Sequence, residues 1–157
     1  MRIVERGRTS IKRKLQRSNP FRPENCERED CLVCQTGGKG NCETEGVTYS
    51  IECLECGADK REGEYRGHTS QNTYTRGRKH LQDLDQKLDG SVLWKHALRK
   101  HNGSVPDYRM NVTGVYGQDT MIRQISEAVR INEKGMANLM NDKSEWQLNH
   151  VPRVATV

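Results

Sequence analysis

Residues 65–80 read YRGHTSQNTYTRGRKH and set Tyr65 two residues before Gly67, then Arg76 and His80 four apart. Such a stretch is poor in apolar side chains and would ordinarily be a solvated surface. It also holds what one side of a phosphate-handling site needs, because an arginine and a histidine at i and i+4 share one side of a helix. A second chemistry is carried by the cysteines. All six lie between positions 26 and 56, as Cys26-x4-Cys31-x2-Cys34-x7-Cys42 and Cys53-x2-Cys56. Clustering of this kind, in a chain expected to be intracellular, points to metal ligands over disulfides.

Cys26, Cys31, Cys34 and Cys42 have four thiols of their own and suffice for an all-cysteine zinc site. Cys53 and Cys56 need a second pair, and His96 with His101 is the best available. Five residues apart on an unbroken helix, those two would point about 140° from each other. The Asn102-Gly103 pair makes unwinding at His101 the expected remedy. His68 and His80 are competing partners for Cys53 and Cys56. The expectation is two structural zinc ions, against the alternative of six reduced thiols.

These residues must be positioned by a small set of elements. GVTYSIEC alternates Val47, Tyr49 and Ile51 and reads as a strand, and a short second strand would carry Tyr65. Thr69 or Ser70 would cap a first helix with Leu81, Leu84 and Leu88 on its apolar side. Ser91 would cap a second helix (Leu93, Trp94, Ala97, Leu98), stopped by Asn102-Gly103. VPDYRMNVTGVY alternates Tyr108, Met110 and Val112 as a third strand. Asp119 would cap a third helix with the stripe Ile122, Ile125 and Val129, ended by Gly135. The order β-β-α-α-β-α makes a small mixed α/β (α+β) domain. The expected divisions are a basic arm over 1–25, a Cys-rich zinc-binding segment over 26–45, the main domain over 46–148 with an inserted metal site, and a tail over 149–157.

Composition sets the outer bounds. Only 32% of the 157 residues are hydrophobic and 5% aromatic, a thin supply for a core that metal crosslinks would supplement. No apolar run reaches the roughly 18 residues of a membrane helix, so a soluble, intracellular protein is expected. The net charge of +5 is uneven: residues 1–22 hold eight Lys or Arg against Glu5 alone, leaving the remaining 135 residues at −2. A basic arm including Arg8, Lys12, Arg13, Lys14 and Arg17 suits a polyanion, because each cation meeting a phosphate releases condensed counterions. A nuclear-localisation patch or a solvated linker would have the same composition.

Taken in order, GVTYSIEC, YRGHTSQNTYTRGRKH, RQISEAVRIN and LMNDKSEWQ resemble a GIY-YIG nuclease domain. The Cys-rich prefix, the C-x2-C between the first two motifs and the later LWKH…H are similar to the endonuclease domain of Penelope-like retroelements. The resemblance spans residues 18–154. It implies a three-stranded antiparallel sheet flanked by helices and a site made by Tyr49, Tyr65, Arg76, His80, Glu127 and Asn141. Three features depart from the pattern: the first motif reads G-V-T-Y, one residue longer than G-I-Y, Arg66 stands where Ile is usual, and His68 where retroelement relatives often carry Glu. His68 is then either a neutral neighbour or a second titrating group beside the metal.

The implied chemistry is phosphodiester hydrolysis. It needs an activated water, a Lewis acid on the phosphate, and cations facing the developing charge. Arg76 would supply the planar fork, Glu127 a hard oxygen for Mg2+ or Mn2+, and Tyr49 the general base. Tyr65 would hydrogen-bond water or phosphate, and Asn141 would hold the Glu127 or Tyr49 geometry. An ordinary phenol has a pKa near about 10, so Tyr49 needs help from metal-bound water, Arg76 or His80. The partners implied are DNA, retroelement RNA and a reverse transcriptase in the same or a companion polypeptide, in the nucleus and without membrane association. Two other functions fit parts of the sequence: a non-catalytic zinc module that binds nucleic acid, and a repair or junction-resolving endonuclease.

Overall fold

A computed structural model describes residues 26–57 and 61–141. The basic arm over 1–25, with Arg8, Lys12, Arg13, Lys14 and Arg17, lies outside the described residues, as does the tail over 149–157. Three strands, β1 (Glu45–Cys53), β2 (Glu64–Asn72) and β3 (Tyr108–Val115), form an antiparallel sheet in the order β2-β1-β3. The helices are α1 (Thr73–Asp85), α2 (Val92–His101) and α3 (Thr120–Lys134), followed by a 3-10 turn at Met136–Asn138. The α+β class and the element order are those expected. No helix among the described residues is long and apolar enough to cross a membrane.

The central strand explains how so little apolar material makes a core. β1 is paired on both sides, and residues 46–51 are buried without exception. Val47, Tyr49, Ile51 and Cys53 project to one face and meet Leu84 of α1, Leu93 of α2, and Tyr108 and Met110 of β3. Cys31, Leu32, Val33 and Cys42 join the same cluster, so the Cys-rich segment contributes to the core as well as to a metal group.

The other face of β1 presents Thr48, Ser50 and Glu52, and α3 packs there. Arg130 Nη2 donates to Thr113 O at 2.7 Å, and Arg66 Nη1 of β2 donates to Arg130 O. A polar face selects the polar side of a helix. α3 therefore buries Arg123, Glu127, Ala128 and Ile131, and leaves the expected core stripe Ile122, Ile125 and Val129 outside at 47%, 56% and 49% exposure.

Two other expectations about helices are corrected. α1 is not capped by Thr69 or Ser70. β2 continues to pair with β1 through Val47–Thr69 and, past a bulge, Glu45–Asn72, and Asn72 Oδ1 accepts from Thr75 N at 2.7 Å. Tyr65 accordingly is the second residue of a nine-residue strand. Leu88 lies past the end of α1 and is exposed, whereas Leu84 is buried. Ser91 and Asp119 cap α2 and α3 as expected, accepting from Trp94 N and Ile122 N.

After α3 the chain returns along the free edge of β2. Leu139 bridges Glu64 in parallel, and Met140 N donates to Glu64 O at 2.8 Å. The open edge is thus covered beside Tyr65, where an unpaired strand would otherwise present bare backbone groups.

Candidate active site and metal centres

Four of the expected site residues converge on one hydroxyl. Arg76 Nε donates to Tyr49 Oη at 2.9 Å, and His80 Nε2 lies 2.9 Å from the same oxygen. The guanidinium can only donate, which leaves the phenol O–H free to point at His80 Nε2 in the tautomer whose Nε2 carries the lone pair. The electrostatics agree. Burial, then the nearby Arg76 charge, push the His80 pKa down to about 3, so the ring is neutral and able to accept through one nitrogen. Burial, then Tyr65, hold the Tyr49 phenol well above its ordinary value, with Arg76 pulling the other way. The resting arrangement is therefore a protonated phenol between a fixed cation and a neutral imidazole. The Tyr65 ring completes the group, with its centroid 6.2 Å from Tyr49 and 5.5 Å from His80.

Gly67 makes this convergence possible, a role the sequence reading did not give it. It pairs with Tyr49 across β1 and β2. A Cβ there would stand 2.8 Å from Tyr49 Oη and 2.9 Å from Tyr65 Cε1, closer than side-chain atoms pack. The signal was present as the glycine two residues after Tyr65.

Glu127 and Asn141 are placed differently. Alternation along β2 sends Tyr65 and Gly67 to one face and Arg66 and His68 to the other. Glu127, from α3, meets His68: Oε2 and Nδ1 are 2.5 Å apart, with the carboxylate side chain only 9% exposed. Its charge reaches around the strand to Tyr65, whose phenol is raised by burial and, after the opposing Arg76, by Glu127. Arg123 and Arg130 bind Gly117 O and Thr113 O, so Glu127 is not the middle of a surface ion-pair ladder. Asn141 does not hold Glu127 or Tyr49. Lying beside β2, it clamps the Arg66 peptide, accepting from Arg66 N at 2.9 Å and donating to Arg66 O at 2.7 Å. It sets the backbone between Tyr65 and Gly67.

Among the described residues two groups are placed to hold a metal ion: Cys26, Cys31, Cys34 and Cys42, and Cys53, Cys56, His96 and His101, each with all ligand atoms within 4.8 Å of one another. In each group a C-x2-C turn points an amide at the first sulfur, Cys34 N to Cys31 Sγ at 3.5 Å and Cys56 N to Cys53 Sγ at 3.4 Å. The second group can be tested against zinc geometry. Tetrahedral Zn2+ with Zn–S about 2.3 Å and Zn–N about 2.0–2.1 Å separates S and N by about 3.5 Å and two N atoms by about 3.3 Å. The structure has S···N distances of 3.4, 3.6 and 3.3 Å and an N···N distance of 3.3 Å. His101 Nδ1 lies 3.0 Å from Glu55 Oε2, which fixes its N–H there and leaves Nε2 as a bare lone pair facing the sulfurs. Burial, then the neighbouring His101, hold His96 down to about 4, in the neutral form a ligand requires. In the four-cysteine group burial pushes the Cys31 thiol up to about 11, and Cys42 further still. A bound cation would offset that cost by favouring the thiolates.

The histidines reach one point without the unwinding expected at His101, which is the last residue of α2. Instead the end of the helix is widened. The N–H groups of Asn102 and Gly103 both return to Ala97 O, and Asn102 takes a left-handed φ of 51°. His68 and His80 are excluded as competitors, being engaged by Glu127 and Tyr49. Glu55, inside the C-x2-C turn, was not singled out from sequence.

Comparisons with protein families, curated proteins and solved structures return no match to this chain.

Proposed function

We propose that this chain is a divalent-metal-dependent DNA endonuclease of the GIY-YIG type that nicks one strand. The observation that carries the reading is the Tyr49 hydroxyl, buried and held between Arg76 and His80 with Tyr65 beside it. A packing tyrosine has no need of a half-buried guanidinium and a neutral imidazole on the same oxygen. Burying those polar groups costs several kcal/mol unless each is satisfied, roughly 1–3 kcal/mol per lost partner. This is the arrangement of a proton-transfer group beside an anion site.

In the reaction, Tyr49 takes the proton of the attacking water as its own proton passes to His80 Nε2. Arg76 faces the phosphate oxygens and stabilises charge on the phenol oxygen. Tyr65 hydrogen-bonds the phosphate. The Glu127 carboxylate, steadied at Oε2 by His68, fits a hard cation through Oε1. Mg2+ or Mn2+ bound there would polarise the phosphate and assist the leaving oxygen. Asn141 keeps β2 in place beneath Tyr65. The basic arm, through Arg8, Lys12, Arg13, Lys14 and Arg17, tracks the DNA backbone, and two zinc ions in the cysteine groups are structural. The Cys-rich prefix and the inserted Cys–His group favour the Penelope-like branch. On that reading the nick exposes a 3′ hydroxyl for target-primed reverse transcription in the nucleus, with the reverse transcriptase as partner. The two metal groups alone would also suit a non-catalytic nucleic-acid-binding module, which has no use for the Tyr49 cluster.

The test is relaxation of supercoiled plasmid by zinc-loaded protein. Nicking is expected with Mg2+ or Mn2+, none when zinc is the only divalent ion, and none from Arg76→Ala with Mg2+. An Arg76→Ala variant as active as the wild type would remove the role given to this cluster.

A further inference from the structure

The four-cysteine segment does more than close on itself. Along one side it is laid onto β3. Met110 N donates to Leu32 O at 2.9 Å, Val112 N to Lys39 O at 2.8 Å, and Arg109 Nε to Thr36 O at 2.8 Å. Along its other side it grips the start of α1. Tyr74 N donates to Cys42 O at 2.7 Å and Thr73 N to Thr44 O at 3.1 Å. The Tyr74 hydroxyl donates to Asp30 Oδ1 at 3.0 Å, Arg78 Nε lies 3.5 Å from Asp30 Oδ2, and the Arg28 guanidinium stacks 4.4 Å above the Tyr74 ring. Gly77 is buried beside Leu32, where an added methyl group would stand 3.6 Å from Leu32 Cβ and only 3.2 Å from Met110 Sδ.

These contacts fall on Thr73, Tyr74, Gly77 and Arg78. They bracket Arg76 and end less than one turn before His80. A helix leaves its first N–H groups without internal partners. In α1 Asn72 takes one, and the carbonyls of Cys42 and Thr44 take two more. Cys42 is the direct link, since its sulfur belongs to the metal group while its carbonyl oxygen holds Tyr74 N. Between Cys26 and Cys42 the segment has two large apolar side chains, Leu32 and Val33, too few to fix its shape without a metal.

We propose that the metal held by Cys26, Cys31, Cys34 and Cys42 is the positioning element of α1, and through it sets Arg76 and His80 against the Tyr49 hydroxyl. The link from metal to helix stands on the contacts above. The link to catalysis rests on the endonuclease reading.

The experiment uses the full chain. Cys34→Ser is expected to bind one zinc in place of two. Its amide exchange over residues 73–80 should rise at least about tenfold, with the amides of β1 unchanged. Asp30→Ala, at a residue that is neither ligand nor catalytic, should retain both metals and show a rise of the same sign over 73–80. Its plasmid-nicking kcat should fall at least about fivefold with KM within about twofold. Asp30→Asn, which keeps an oxygen for the Tyr74 hydroxyl, should recover most of both. If Cys34→Ser does not fold, the Asp30 pair decides. Unchanged exchange over 73–80 in a folded Cys34→Ser, or in Asp30→Ala, overturns the proposal. A loosened α1 in a protein whose wild type never nicks DNA leaves the positioning role standing and removes the endonuclease reading instead.

Discussion

Replacing Gly67 with alanine adds one methyl group at the most crowded point of the candidate site. The new Cβ would stand 2.8 Å from Tyr49 Oη, 2.9 Å from Tyr49 Cζ and 2.9 Å from Tyr65 Cε1. Ordinary contact begins at 3.4 Å, so the tyrosine hydroxyl must retreat by about 0.6 Å. The Tyr49 ring is not free to swing away, because it is 1% exposed and its hydroxyl is tied to Arg76 and His80 at 2.9 Å each. Overpacking of this kind costs about 1–3 kcal/mol, and weakening two buried hydrogen bonds adds roughly 1 kcal/mol or more. A loss of about 2–4 kcal/mol should move a urea midpoint down by about 1–2 M, at a typical slope of about 2 kcal/mol/M. Plasmid nicking by the fraction that remains folded should fall about 100-fold, since misplacement on this scale is enough to spoil alignment. Gly90→Ala is the control, with nothing within 4 Å of the new methyl group. A Gly67→Ala midpoint equal to that of Gly90→Ala would show that the tyrosines do not close over Gly67 as described.

Other consequences are open to measurement. His80 has a folded pKa of about 3, below its ordinary 6.5. As pH falls through that interval the unfolded chain binds the proton first, so the contribution is complete above about 6.5 and lost toward 3, with a ceiling on the order of 4–5 kcal/mol. The stability of wild type should therefore fall more steeply over this range than that of His80→Gln, zinc loss being common to both, and equal slopes would refute the buried neutral imidazole. Asn141→Ala removes both bonds to the Arg66 peptide and should cost about 1–3 kcal/mol by chemical denaturation. Ile125→Lys, on the outer face of α3, should change stability by less than about 0.5 kcal/mol, whereas a large loss would restore the inward stripe read from the sequence. Glu55→Gln should leave two zinc ions bound but weaken one of them about 10–100-fold in competition with a chelator.

Much of the fold was legible because the signals were local. Val47, Tyr49 and Ile51 alternate in β1, Ser91 and Asp119 cap their helices, and Asn102 and Gly135 end theirs. The cysteine spacings named both metal groups, and the His96–His101 pair followed from them. What failed depended on partners distant in sequence. Thr69 and Ser70 have cap chemistry, but pairing with β1 carries β2 on to Asn72. The isoleucine stripe of α3 has ideal spacing, yet the face that receives this helix is Thr48, Ser50 and Thr113, so the polar side turns inward. Periodicity says that a helix has two sides; it does not say which one the sheet will accept. The site was legible as a set of residues, but not in its division across β2, where Tyr49, Arg76 and His80 lie on one face while Glu127 meets His68 on the other. Nor could spacing show that Asn141 holds a backbone.

The central claim is metal-dependent strand cleavage, and Glu127 tests it most directly because it touches neither zinc group nor the Tyr49 hydroxyl. Zinc-loaded wild type and Glu127→Ala, matched by circular dichroism and metal content, would be incubated with supercoiled plasmid and Mg2+. The wild type should convert it to the nicked circle, and the variant should be slower by at least about 100-fold. Equal rates for the two proteins, or a wild type that leaves the plasmid supercoiled with either Mg2+ or Mn2+, would contradict the account.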